Sequence, residues 1–135
     1  MDRRIDAGAL RAFMERALSA EGFAGEDARA IADVLMQADL FGIESHGAQR
    51  MMYYHRNIAS GSVDVSAAPQ ILRETPVSAL IDGHFAMGQV TASYAMQKAM
   101  GFVPSIISRP NVGTMIGPVF VIENAASPSR AAISV

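Results

Sequence analysis

The chain has 135 residues, half of them hydrophobic and 18% charged, with a formal net charge of −2 and no cysteine. That is enough for one modest folded domain and short for a two-domain enzyme; it excludes a wholly disordered chain. No basic surplus exists to grip a phosphate backbone, so nucleic acid is excluded as a partner. Without cysteine there can be no disulfide, thiolate metal site or Cys nucleophile.

Arg3 and Arg4 near the N-terminus have no apolar run behind them, so a secretory signal is not expected. No stretch reaches the roughly 18 apolar residues that a membrane span needs. The expected setting is the cytoplasm. Asp6 is an N-cap residue for a helix from Ala7 to Ala20, with Leu10, Phe13, Met14, Ala17 and Leu18 on its apolar face and Gly22 as its stop. A second helix is expected from Glu26 to Leu40, with Glu26 and Asp27 in the first turn, where the helix dipole favours anions. Its buried face reads Ala28, Ile31, Ala32, Leu35 and Ala38, and Gly42 ends it. A third helix is expected from Gly47 to Ala59, closed by Ser60-Gly61.

Beyond it the pattern changes. Gln70 to Glu74 and Val77 to Asp82 read as short strands, and Asp82-Gly83 as a turn. Met87 to Met100 returns to helical periodicity. Val103–Ile107, Val119–Ile122 and Ala131–Val135 are strand-like apolar runs. After residue 100 only Arg109, Glu123 and Arg130 are charged, while Pro104, Pro110, Pro118 and Pro128 punctuate the tail. The expected architecture is a mixed, predominantly helical α/β fold with a small sheet. Its two parts are residues 1–100, mostly helical, and 101–135, an apolar Pro-containing tail.

The segment from Phe41 to Tyr54 carries the densest chemistry. At about 100° per residue, His46, Arg50 and Tyr54 share one face of the expected third helix. The Arg fork matches a carboxylate in a bidentate pair, and a His can give or take a proton near neutral pH. A 2-keto or 2-hydroxy acid needs both. Tyr54 adds a hydroxyl donor, and Ser45 is placed to cap the helix or touch the acid. The same spacing also suits a solvated surface helix, which is how His55 and Arg56 read; His84, beside a turn, reads as exposed.

Other chemistries fail on pattern. Ser45-His46 lacks a Gly-x-Ser-x-Gly context, and His46, His55 and His84 lack metal-ligand spacing. Gly113-Thr114-Met115-Ile116-Gly117 is not a dinucleotide fingerprint. Met14, Met36, Met96 and Met100 read as core filling, while Met51 and Met52 are placed to face a partner or a pocket.

Gly42-Ile43-Glu44-Ser45-His46-Gly47-x-x-Arg50-x-x-x-Tyr54 resembles the signature of the malate/L-lactate dehydrogenase family, which is distinct from the Rossmann-fold lactate dehydrogenases. The run Ala28-x-x-Ile31-Ala32-Asp33-Val34-Leu35-x-x-Ala38-Asp39 also fits, as do Gly61, Glu74-Thr75-Pro76, Ile81-Asp82-Gly83 and Gly88-Gln89-x-x-Ala92. The resemblance spans about residues 7–100. It implies the N-terminal part of the L-sulfolactate dehydrogenase-like fold and the start of a cofactor domain. It also implies a homodimer and hydride transfer between NAD or NADP and a small 2-hydroxy or 2-keto acid. By resemblance His46 is the acid/base or polarising group, Arg50 holds the carboxylate, and Ser45 and Tyr54 line the substrate site.

Residues 101–135 depart from the family pattern. Gly101-Phe102-Val103 arrives as if a helical stretch were deleted. Ser108 to Gly113 stands where the family has a His-bearing segment, and no His follows position 84. The expectation is therefore a truncated or frame-disrupted N-terminal portion of such an enzyme, with little dinucleotide affinity. The alternative is a non-catalytic helical dimerisation or binding module.

Overall fold

The computed structural model describes residues 4–75, 78–107 and 119–123. The chain divides into two compact units, Met1–Ser66 and Ala67–Val135. The mixed, predominantly helical α/β fold with a small sheet is as expected. The expected strand Ala131–Val135 and the glycines at 113 and 117 lie outside the described residues.

In the first unit, helix α1 spans Ala7–Ala20 and α2 spans Gly25–Leu40. Asp6 caps α1 as its residue type predicts: its carboxylate Oδ1 accepts the Ala9 amide at 2.8 Å. Asp6→Ala is expected to cost about 1 kcal/mol, read as a lower midpoint in urea. Gly22 joins the helices at φ +109°, and a Cβ there would press on Val65 at 3.1 Å. Both its backbone and its surroundings therefore favour glycine. The two helices pack on each other, and Met14, Leu18, Phe23, Ala28, Ile31, Ala32, Leu35 and Met36 are buried.

Phe13 departs from the expected face and is 56% exposed. The buried line on α1 is Met14 and Leu18, four residues apart. Phe13 lies about 100° round the helix from Met14, beyond the stripe that one neighbouring helix covers. Ala38 is half-buried rather than buried.

The expected third helix is interrupted. Two 3₁₀ turns, Glu44–His46 and Ala48–Arg50, precede α3 at Met51–Ala59. Gly61, at φ +74°, follows its end.

In the second unit, β1 (Gln70–Thr75) and β2 (Ser78–Asp82) form an antiparallel pair, with Thr75 opposite Ser78 and a register irregularity between Ile71 and Arg73. Helix α4 (Gly88–Ile107) then leads to β3 (Val119–Glu123), which pairs parallel to β2. A parallel pair requires such a crossover connection. Ala79, Ile81 and Ala95 are buried together, with Ile71 and Tyr94 packed on them.

Two expectations fail in α4. Val103–Ile107 continues the helix instead of forming a strand. Pro104 removes the backbone bond to the Met100 carbonyl, yet the helix runs three residues past it. Met96 and Met100 are exposed rather than core residues, because the sheet-facing side of α4 is the one bearing Ala95.

The Asp82-Gly83 turn forms as expected. Asp82 is buried and its Oδ1 accepts the His84 amide at 2.9 Å, an Asx-type turn. His84 and Phe85 follow at positive φ, and His84 is exposed. Among the described residues no helix is long and apolar enough to cross a membrane.

Candidate functional site

Helix α2 ends in a hydrogen-bonded cap that launches the site. The Gly42 amide donates to the Asp39 carbonyl at 3.0 Å, and the Ile43 amide to the Ala38 carbonyl at 2.8 Å. With Gly42 at φ +75°, this is a Schellman motif. It turns the chain sharply into Glu44-Ser45-His46.

Gly47 then breaks the helical path. It sits at φ −90°, ψ −150°, an extended conformation between the two 3₁₀ turns. His46 therefore lies before α3 and not on it. The expected single helix face shared by His46, Arg50 and Tyr54 does not exist. Asp39 Oδ2 accepts the Ala48 amide at 2.8 Å, a cap on the turn that starts after Gly47.

Arg50 and His46 are nevertheless both tied to Ser45. Arg50 Nε donates to the Ser45 carbonyl at 2.9 Å, folding the Arg side chain back over the turn. Ser45 Oγ and His46 Nδ1 are 2.9 Å apart. Gln49 Nε2 donates to the Glu44 carbonyl, so successive carbonyls of the turn are both held by side chains that follow it. Ser45 and His46 are exposed and Arg50 is half-buried, which leaves the group open to a solute.

Tyr54 stands one helical turn beyond Arg50 and is half-buried. The ring under the Arg50 guanidinium belongs to Tyr53, with the centroid 5.7 Å from Cζ, a cation–π arrangement. The Tyr53 and Tyr54 rings are themselves 6.3 Å apart and tilted. Met51 is half-buried and Met52 exposed. His55 is exposed, as expected of a solvated face, but also bonds Glu21 at 2.6 Å through Nδ1.

Three contributors carry no role in the sequence reading: Tyr53, Gln49 and Asp39. Tyr53 offered no signal beyond its spacing from Arg50. Asp39 did offer one. It is an anion in the last turn of α2, where the dipole disfavours negative charge. Such a residue needs a local reason, and the Ala48 amide is that reason.

Comparison with known proteins gives consistent results. The family model described as malate/L-lactate dehydrogenase matches residues 5–103. A malate dehydrogenase from Pyrococcus horikoshii is 41% identical over 97 residues, which cover 72% of this chain and 27% of that protein. An L-sulfolactate dehydrogenase from Methanocaldococcus jannaschii is 38% identical over 79 residues, covering 58% of this chain and 23% of that protein. The solved structure of malate dehydrogenase from Pyrococcus horikoshii superposes with a TM-score of 0.78 at 36% identity, covering 89% of this chain and 32% of that one. The chain thus spans about a quarter of the length of the curated relatives it matches.

Proposed function

The chain belongs to the malate/L-lactate dehydrogenase family, and from that premise we propose that its first unit carries the acid-binding part of a 2-hydroxy acid dehydrogenase site. The reaction is oxidoreduction between a small 2-hydroxy acid and its 2-keto form, with NAD or NADP as hydride partner. The observation that carries this reading is the return of Arg50 onto Ser45-His46, which joins a carboxylate-binding fork to a proton donor.

Each residue has a definite part. Arg50 spends Nε on the Ser45 carbonyl and presents its terminal nitrogens to the carboxylate of the acid. With Nδ1–H donating to Ser45 Oγ, His46 keeps Nε2 for the substrate. In the imidazolium form Nε2–H hydrogen-bonds the 2-oxygen and delivers its proton as negative charge develops there on reduction, leaving a neutral imidazole with the remaining proton on Nδ1. In the reverse direction the same nitrogen takes the hydroxyl proton. Tyr54 lines the acid on the α3 side.

A nicotinamide supplies the hydride chemistry when bound. The described residues do not fit a dinucleotide cradle. The turn from β2 into α4, Gly83 to Gly88, lacks the Gly-x-Gly-x-x-Gly spacing of a dinucleotide cradle. The contribution of this chain is therefore placed at the acid.

Hydroxymalonate, a stable 2-hydroxy dicarboxylate, tests the reading by NMR titration of the 135-residue chain. Saturable shifts at Ser45, His46 and Arg50 are expected. Arg50→Gln is expected to weaken binding by about tenfold to a hundredfold, the loss of a charge-assisted bidentate contact. An unchanged affinity in that variant overturns the assignment. A helical association module is the second reading, favoured by Leu40 and Phe41, which stand 70% and 78% exposed at the end of α2. It requires a dimer by light scattering and no hydroxymalonate affinity.

A further inference from the structure

We propose that Asp39 is the positioning residue of the acid-binding turn, acting on Ser45, His46 and Arg50 through its grip on Gly47-Ala48. The inference rests on the function proposed above for that turn, and goes beyond it by assigning what holds the turn in shape.

Asp39 brackets the loop at both ends. Its main-chain carbonyl accepts the Gly42 amide where the loop leaves α2, and its side chain accepts the Ala48 amide where the loop arrives at the second 3₁₀ turn. The five residues between, Ile43 to Gly47, are therefore closed by one residue. Ser45 and His46 lie inside this bracket. Arg50 follows two residues after Ala48, with its amide bonded to the Gly47 carbonyl at 2.9 Å. A shift of the Ala48 end moves Arg50 relative to His46, and those two groups must face the same small anion.

Gly47 records how close the grip is. It is buried, and a Cβ built on it would land inside the Asp39 carboxylate, overlapping Oδ1, Cγ and Oδ2. The backbone at Gly47 has negative φ, a conformation open to other residues. Glycine is required here by space. The carboxylate needs a residue without a side chain in order to reach the Ala48 amide.

Energetics point the same way. An anion in the last turn of α2 opposes the helix dipole. The compensation is a charge-assisted bond to the first amide of the second 3₁₀ turn. Asp39 thus acts as an N-cap supplied from another element. It hydrogen-bonds neither His46 nor Arg50, which makes it a positioning residue.

The test compares Asp39→Ala and Asp39→Asn in the full 135-residue chain. Three readouts are used: hydrogen exchange of the Ala48 amide, the His46 imidazole resonances, and hydroxymalonate affinity. Asp39→Ala is expected to speed Ala48 exchange at least about tenfold, to shift the His46 resonances, and to weaken hydroxymalonate by about tenfold. Asp39→Asn keeps a side-chain oxygen as acceptor and is expected to restore Ala48 protection and most of the affinity. Helical circular dichroism confirms that both variants fold.

Unchanged Ala48 exchange in Asp39→Ala overturns the proposal, as does an Asn variant no better than Ala. If the parent chain does not bind hydroxymalonate, the acid-binding reading falls. The Ala48 and His46 signals then still decide whether Asp39 sets the turn.

Discussion

Leu35→Ala is expected to lower the stability of the first unit by about 2–5 kcal/mol. Leu35 is fully buried on α2, as are Met14 and Leu18 on α1 and Ile31 one turn earlier. Removing its branched end loses the transfer free energy and leaves a cavity that the two packed helices can only partly close. Native domains have only about 5–15 kcal/mol in total, so this one change removes a large share. The measurement is urea unfolding followed by exchange of α1 and α2 amides, which reports the first unit by itself. Val34→Ala, one residue earlier and exposed, is the control and is expected to stay within about 0.5 kcal/mol. A Leu35 effect as small as the Val34 effect would contradict the packing of α1 on α2.

Gly47→Ala is expected to disable the acid-binding turn. The added methyl has no room while Asp39 holds the Ala48 amide. Either the carboxylate swings out or the turn moves, and both outcomes separate Arg50 from His46. Overpacking of this kind costs about 1–3 kcal/mol, and hydroxymalonate affinity is expected to fall more than tenfold, as loss of the charge-assisted contact implies. Gly42→Ala makes a useful contrast. Gly42 has open space around it but φ +75°, so its penalty comes from the backbone alone, about 1 kcal/mol. The decisive comparison is the double variant Gly47→Ala with Asp39→Ala. Removing the carboxylate removes the overlap, so the double variant should be more stable than Gly47→Ala alone. Strict additivity of the two changes would show that the methyl does not meet Asp39.

The resemblance to the malate/L-lactate dehydrogenase family was legible in the motifs between Ala28 and Ala92, and the family match over residues 5–103 agrees with it. The long helices were legible too. Three-to-four residue periodicity and the Asp6 cap placed α1 and α2 to within a residue, because both signals are local. Val103–Ile107 misled the reading of α4, since a short apolar run does not distinguish a strand from a helix segment. Phe13, Met96 and Met100 misled it in another way. Apolar spacing shows which side chains share a face, but only a neighbouring element decides how wide a stripe is covered.

The site divides along the same line. By itself the sequence determined which groups are present: the Ser45-His46 pair, the Arg50 fork, and the glycines flanking them. It also determined their order, because residue type and spacing are written in the chain. Tertiary structure decided how they meet. Three-residue turns, a Schellman cap and a carboxylate nine residues from its amide partner replaced the continuous helix that periodicity suggested. The reason lies at Gly47. The extended backbone at Gly47 separates His46 from the helical turns that follow, and the bond from Asp39 to Ala48, with space kept clear at Gly47, caps the restart. That bond joins two separate elements, so no window of periodicity could reveal it.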